Sequence, residues 1–300
     1  MRLIILLGGL LCALPLSRAA TATIAVAADT SLQEIAPASN MGGVNFVSVG
    51  TIAFPPEGST EPPSTRGLFR FDLSSIPAGA NVSSVVVNMS VTFKPGGPGS
   101  NFELHRLRKV WGEGNKSVFG QSALPATAGE ASWVSPAASG PAWSAPGASS
   151  DNDAATAVSS SVFMDTAKRY SFPSTATLVA DVQGWIDNPS GNFGWMMKSA
   201  AEGTAQTARR FGSRETGGAS VPTLEVTFTI PSTPVKIEES RLAAEGMFLR
   251  WTGGNPPYRV LRAPSPEGPY DFVTTATAEL SATAPLGGEA AYYRVAGEAP

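Results

Sequence analysis

Val85-Val86-Val87-Asn88-Met89-Ser90-Val91-Thr92-Phe93 decides the fold class. Val85, Val87, Met89, Val91 and Phe93 fall on one face and mostly polar side chains on the other, the period-two pattern of a strand with one buried face. Leu224 to Ile230 repeats it, with Leu224, Val226, Phe228 and Ile230 inward and Glu225, Thr227 and Thr229 outward. Phe69-Arg70-Phe71-Asp72-Leu73 is a third such strand, ended by the turn-rich Ser74-Ser75-Ile76-Pro77-Ala78-Gly79. Only one segment carries helical spacing: Leu178, Val182, Trp185 and Ile186 before Asp187-Asn188-Pro189. The reading is an all-β chain with one short helix.

Composition agrees. The 300 residues include 31 Gly and 25 Pro but only 15% charged side chains, which suits short strands joined by turns rather than a helical bundle. Residues 1–19 read as a signal peptide: Arg2 is the positive start, Leu3 to Leu16 the apolar run, and Ser17-Arg18-Ala19 the small-residue cleavage site. No later segment is apolar enough to span a membrane. Cleavage after Ala19 removes Cys12, Arg2 and Arg18, leaving 19 basic and 24 acidic side chains and no cysteine. A cysteine-free exported chain has no disulfide and no thiol chemistry. Its acidic balance lacks the basic footprint of a nucleic-acid binder, and His105 alone cannot build a multi-histidine zinc site.

A proline-flanked linker, Pro231-Ser-Thr-Pro234, divides the chain into a domain over residues 20–230 and a small one over 235–300. Within the first, residues 120–161 are rich in Ala, Ser, Gly and Pro, with Trp133 and Trp143 among them. Such an excursion over the surface is either a binding element or a poorly ordered flap.

Several phrases, taken in order, point to a known pattern: Pro37-Ala-Ser-Asn-Met-Gly42, Arg66-Gly-Leu-Phe-Arg-Phe-Asp-Leu-Ser-Ser-Ile-Pro-Ala-Gly-Ala80, Leu104-His-Arg-Leu107 and Val110-Trp-Gly-Glu-Gly114. Trp143-Ser-Ala-Pro-Gly147, Asp181-Val-Gln-Gly-Trp185, Gly194-Trp-Met-Met-Lys-Ser199 and Phe211-Gly-Ser-Arg-Glu215 follow. Over residues 28–230 the chain resembles the DNRLRE family of secreted β-sandwich modules, related to carbohydrate-binding module family 96. The resemblance implies a jelly-roll-like sandwich outside the cell, without catalytic machinery, in a group whose characterised carbohydrate-binding relatives are associated with acidic polysaccharides such as alginate. The 120–161 region and the Gly-Trp-Met-Met-Lys wording depart from the pattern. After the linker, Leu249 to Arg262, Gly268-Pro-Tyr-Asp-Phe272 and Ala291-Tyr-Tyr-Arg-Val295 resemble the later strands of a fibronectin type III-like module, reduced in length.

The residues allow a narrow chemistry. No nucleophile elbow, phosphate loop or dinucleotide fingerprint occurs. His105 is a possible base, and the acidic residues keep a glycan lyase or hydrolase open as a third reading. The better lead is cationic. Arg70, His105, Arg106, Arg108, Lys109, Lys198, Arg209, Arg210 and Arg214 lie on or beside strands, where alternate side chains share a face and guanidinium forks can clamp carboxylates or sulfates. Their ordinary alternative is internal ion pairing, such as Arg70 with Asp72 or Glu215. Trp133 and Trp143 are expected either to stack on sugar or to pack, whereas Trp111 and Trp185 are expected in the core. Asp151-Asn152-Asp153, and Asp29 with Asn40, are oxygen-rich enough to raise structural calcium, although no EF-hand spacing is present; no other cofactor is expected. The expectation is a secreted, non-catalytic polysaccharide-binding protein favouring acidic glycans, at modest, salt-sensitive affinity. The alternative is a structural or adhesive surface module with a protein partner.

Overall fold

The computed structural model describes residues 19–52, 55, 60–231, 234–286 and 291–297. The signal-peptide reading over 1–18, Cys12 included, and the middle of the linker (232 and 233) lie outside them. The chain forms two compact units, Ala20–Phe228 and one that begins at Thr229. Both are built of β-sheet, and among the described residues no helix is long and apolar enough to cross a membrane.

The first unit contains β1 (Ala19–Gln33), β2 (Val47–Thr51), β3 (Ser64–Phe71), β4 (Asn81–Phe93), β5 (Ser100–Arg106), β6 (Ser160–Met164), β7 (Arg169–Phe172), α1 (Ala176–Asp187), β8 (Trp195–Ser199), β9 (Arg209–Phe211) and β10 (Thr223–Thr229). Neighbours run β1-β10-β4-β9-β2-β3-β8-β5-β6, with β7 beside β4. β1 also pairs with β3, with a register shift between Val26 and Ala28, so one long strand joins β10 to β3 and the order closes on itself around the core, leaving two packed layers. Between the sheets lie Val85, Val87 and Met89 of β4, Leu224 and Val226 of β10, Phe69 and Phe71 of β3, and Phe102 and Leu104 of β5, all buried. The alternation read from residues 85–91 holds. Phe93 does not follow it: the pairing of β4 with β9 slips between Val91 and Phe93, and the ring emerges 51% exposed.

The helix runs Ala176–Asp187, capped by Thr175 Oγ1, which accepts from the Leu178 N–H. Leu178, Val182, Trp185 and Ile186 are its buried stripe. Trp185 meets Trp195 of β8 edge-on at 4.5 Å, so α1 packs against the inner face of the β3-β8-β5 sheet.

The second unit comprises β11 (Lys236–Ala243), β12 (Gly246–Thr252), β13 (Tyr258–Ala263), β14 (Asp271–Phe272), β15 (Ser281–Ala284) and β16 (Tyr292–Gly297). They form two three-stranded antiparallel sheets, β11-β12-β15 and β14-β13-β16. Met247, Leu249, Trp251, Tyr258, Val260 and Ala284 fill the space between them.

Candidate functional site

The long segment after β5 is neither a flap nor a free binding element. It is a packed layer on the outer face of the β3-β8-β5 sheet. Leu68 and Met196 from that face and Ala28 and Leu32 from β1 form one core with Leu107, Trp111, Ala131, Trp133, Trp143, Ala148 and Ala154. Each indole is oriented by a partner or a stack: Trp111 Nε1 donates to the Phe193 carbonyl at 2.8 Å, Trp143 Nε1 donates to the Ser132 carbonyl at 2.9 Å, and Trp133 lies under the Arg66 guanidinium at 5.2 Å. Trp133 and Trp143 are therefore buried, 7% and 4% exposed, and neither offers a ring to sugar. Low charge and many small residues signal close packing here as readily as solvent exposure.

Arg66 bolts the layer down. Its Nε and Nη2 grip both oxygens of Glu202 at 2.8 and 2.7 Å, while Nη1 donates to the Gly147 carbonyl and to Ser149 Oγ. Asn40 is a second anchor. Its Nδ2 donates to the Glu113 and Ala131 carbonyls, and its Oδ1 accepts from the Gly42 and Lys116 N–H groups. With two donors and two lone pairs spent, this buried amide is saturated by protein. Sequence reading did not single out Arg66; the signal was the opening position of its own quoted phrase.

The singled-out cations do not converge on one exposed face. Arg70 and Lys198 sit on the outer face; Arg70 stacks on Trp111 at 5.5 Å instead of pairing with Asp72 or Glu215, and Lys198 stands opposite Glu103. His105 shares that face but is 3% exposed beneath the layer. Its Nδ1 is 2.9 Å from the Ala155 carbonyl, which can only accept, so Nδ1 carries the proton, and Nε2 faces Glu103 Oε2 at 3.4 Å. Arg209 points into the sandwich and is fully buried. Its Nη1 donates to the carbonyls of Gln206, Thr207 and Ala208 and its Nη2 to that of Pro98, so it serves as an internal staple rather than a ligand clamp. Burial pulls its pKa below the usual arginine value.

Arg214 is spent on acids. It bonds both oxygens of Glu113 at 3.2 and 2.8 Å and reaches Glu215 at 3.0 Å, while its backbone N–H donates to Asp29 Oδ2 at 2.7 Å. Carboxylate oxygens of Asp29, Glu113 and Glu215 lie within 4.8 Å of one another, and Arg214 is their counter-ion. Burial pushes Asp29 up to about 8 against the opposing pull of the Arg214 N–H, and it raises Glu113 as well. The Asp151 to Asp153 turn is likewise engaged. Asp153 binds Lys109 at 2.6 Å and the Ser144 and Ala145 N–H groups; burial alone would raise its pKa, but these partners outweigh it and hold the pKa low. Asp151 accepts from Thr156 and Arg108.

A concavity lies beside α1. A cleft of about 470 Å³ is lined by Arg106, Arg108, Ser159, Thr177, Asp181 and Phe193, with small alanines and Gly191 between them. Arg106 belongs to the inner face, opposite Trp195, and leaves the sandwich beside α1. Its guanidinium lies 5.9 Å from the Trp185 ring and only 3.9 Å from Asp181 Oδ1, with 41% of the side chain exposed. Arg108 is 50% exposed and touches Asp151 at 3.4 Å. Asp181 is buried and committed: its Oδ2 accepts from Ser159 Oγ at 2.5 Å and Trp195 Nε1 at 2.9 Å. The cleft thus presents two arginines with donors to spare beside Phe193, Leu107 and small residues.

No protein-family model matches the chain, and no curated protein does. Among solved structures it is similar to a β-1,2-glucanase from Parabacteroides distasonis, at 13% identity over 92% of this chain and 34% of that one, with a TM-score of 0.18. The chain therefore spans about a third of the length of that enzyme.

Proposed function

We propose that this chain is a secreted, non-catalytic polysaccharide-binding protein that favours acidic glycans, and that the ligand seats in the cleft beside α1. The observation that carries the proposal is the pair of half-exposed arginines, Arg106 and Arg108, lining one cleft beside α1. A guanidinium fork holds a carboxylate or sulfate at two points, and an exposed site makes that attraction salt-sensitive. The apolar segment at 1–19 supports export, and the ordered phrases from Pro37 to Glu215 support a place among DNRLRE-like modules. The non-catalytic reading is supported by His105, whose imidazole is buried against a backbone carbonyl, and by Asp181, whose carboxylate is occupied by Ser159 and Trp195.

The test is binding of the mature protein to polygalacturonate, alginate and a sulfated glucan, at low and at physiological salt. R106Q and R108Q should each weaken binding several-fold, and salt should weaken it further. Binding untouched by both substitutions removes the cleft from the argument. Silence on every polymer from folded protein favours the second reading, an extracellular structural or adhesive module. That reading has its own support: His105, Trp133, Trp143 and Arg209 are buried, and Arg214 is held by Glu113 and Glu215.

A further inference from the structure

Arg210, on the short strand β9, is flanked on both sides by paired strands, β2 through Ser48 and β4 through Phe93. Its neighbours in sequence, Arg209 and Phe211, point inward, and Arg210 points out. There its guanidinium carbon lies 4.2 Å from the ring centroid of Phe46, 5.1 Å from Phe93 and 5.5 Å from Phe119. Phe46 and Phe119 are themselves in contact at 4.9 Å, over a small core of Ala36, Met41 and Val44.

Three phenyl rings surround one guanidinium and supply it with no oxygen or nitrogen acceptor. The contact draws on the attraction between a cation and the ring quadrupole, which does not replace the directed hydrogen bonds that five N–H donors can make. Four other arginines of this unit spend those donors: Arg66 on Glu202, Arg169 on Thr223 and the Ala219 carbonyl, Arg209 on four carbonyls, Arg214 on Glu113 and Glu215. Arg106 and Arg108 each meet one carboxylate, at 3.9 and 3.4 Å, and keep the rest. Among the described residues the Arg210 side chain makes neither a hydrogen bond nor an ion pair. Arg70 shares that property, but it rests on a single ring, Trp111. Had Arg210 served only to cover apolar surface, its aliphatic stem would have sufficed and its head would be free to roam. Instead the head is held in place on a rigid strand, the preorganisation that lowers the entropic cost of binding.

We propose that Arg210 with Phe46, Phe93 and Phe119 forms a second, separate subsite for an oxyanion borne on a sugar ring, a carboxylate or a sulfate ester. The guanidinium edge takes two oxygens of the anion, and the exposed ring of Phe93 takes the apolar face of the pyranose. The inference rests on the glycan-binding reading but not on the cleft at Arg106 and Arg108.

The test is an NMR titration of the mature protein with a galacturonate tetramer, its methyl ester and a sulfated glucan tetramer. Backbone amides and arginine Nε–H signals are read for the wild type, R210Q, R210K, F93A and the R106Q/R108Q pair. The acid tetramer should move the Arg210 Nε–H and the Ser48 and Phe211 amides, while the methyl ester leaves them still. R210Q should weaken that site about tenfold, the scale of one charge-assisted fork, and F93A several-fold. R210K keeps the charge but loses the planar stack, so it should bind nearly as weakly as R210Q. R106Q/R108Q should leave the Arg210 shifts intact, and native amide dispersion certifies the fold of each variant. A response to sulfate alone assigns the subsite to sulfate esters. Shifts at Arg106 and Arg108 with Arg210 unmoved overturn this subsite and leave the glycan reading standing. No shift anywhere overturns both.

Discussion

Replacing Arg66 with alanine should release the layer formed by residues 107–159 without dismantling the sandwich beneath it. The guanidinium and Glu202 are 12% and 22% exposed and meet in a two-point fork, and the same head group caps the Gly147 carbonyl and stacks on Trp133. Removing one partner of a buried ion pair costs about 3–5 kcal/mol because the other charge is stranded, and the partial exposure of Glu202 places this case near 3. The lost stack on Trp133 adds about 0.5–1 kcal/mol. A loss of about 3 kcal/mol in local opening free energy corresponds to roughly 10²-fold faster amide exchange. The amides to follow are Ala131, Trp143 and Gly147, which donate to Gly112, Val134 and Trp133 within the layer. Those of Val87 and Met89 in β4, deep between the sheets, are the reference. R66K keeps the charge but not the fork, so it should recover less than half of the loss. Exchange at the three layer amides within threefold of wild type would refute the bolt. Equal acceleration in β4 would show that the layer and sandwich open as one unit.

Gly147→Ala should act on the same joint from the other side. Gly147 has φ +70°, and an added Cβ would meet Trp133 Cη2 at 2.7 Å, so a loss of about 1–3 kcal/mol in urea melts is expected. Asp29 supplies a pH dependence. Its folded pKa, about 8, stands above its ordinary value of 3.8, so between those limits the folded chain holds a proton that the unfolded chain has lost. This group's stability is fully present below pH 3.8 and declines as pH rises through 8, at no more than about 1.4 kcal/mol per pH unit. Asp29→Asn keeps an acceptor for the Arg214 N–H, and urea melts from pH 5 to 9 should show a flatter profile; an unchanged slope would refute the assignment. Arg209→Ala strands two buried and two half-buried carbonyls and should cost about 2–4 kcal/mol, while R209Q should leave glycan binding unaltered if the variant folds.

The fold was legible where burial is one-sided. Residues 85–91 and 224–228 alternate in polarity because only one face of each strand meets the apolar core, the buried Asn88 and Ser90 of the other face being covered by polar partners. The α1 stripe is legible because a helix at the edge of a sandwich buries one side. Legibility ended where burial became two-sided. His105 and Met196 belong to the face that a lone sheet would turn to water, but the Trp-bearing layer covers it, and strand parity carries no record of a third layer. The same limit explains why the sequence leaves Trp133 and Trp143 open between stacking on sugar and packing: they sit among Ala, Ser and Pro because small residues let an irregular backbone approach the sheet closely.

Candidate cations were harder still, because charge is visible in a sequence and its partner is not. Arg209 and Arg210 are adjacent and chemically identical, yet the strand's period of two sends the first into a cage of carbonyls and the second out among three phenyl rings. The deciding information was the direction of Phe211, a buried aromatic whose neighbour must therefore face outward and whose second neighbour, Arg209, must face in with it. Parity around one well-buried residue thus separates a structural arginine from an available one, while a list of basic residues on strands treats them alike. On that ground the outward arginines that lack an acid partner, Arg210 and Arg70, carry more functional weight than the buried Arg209 or the acid-paired Arg214.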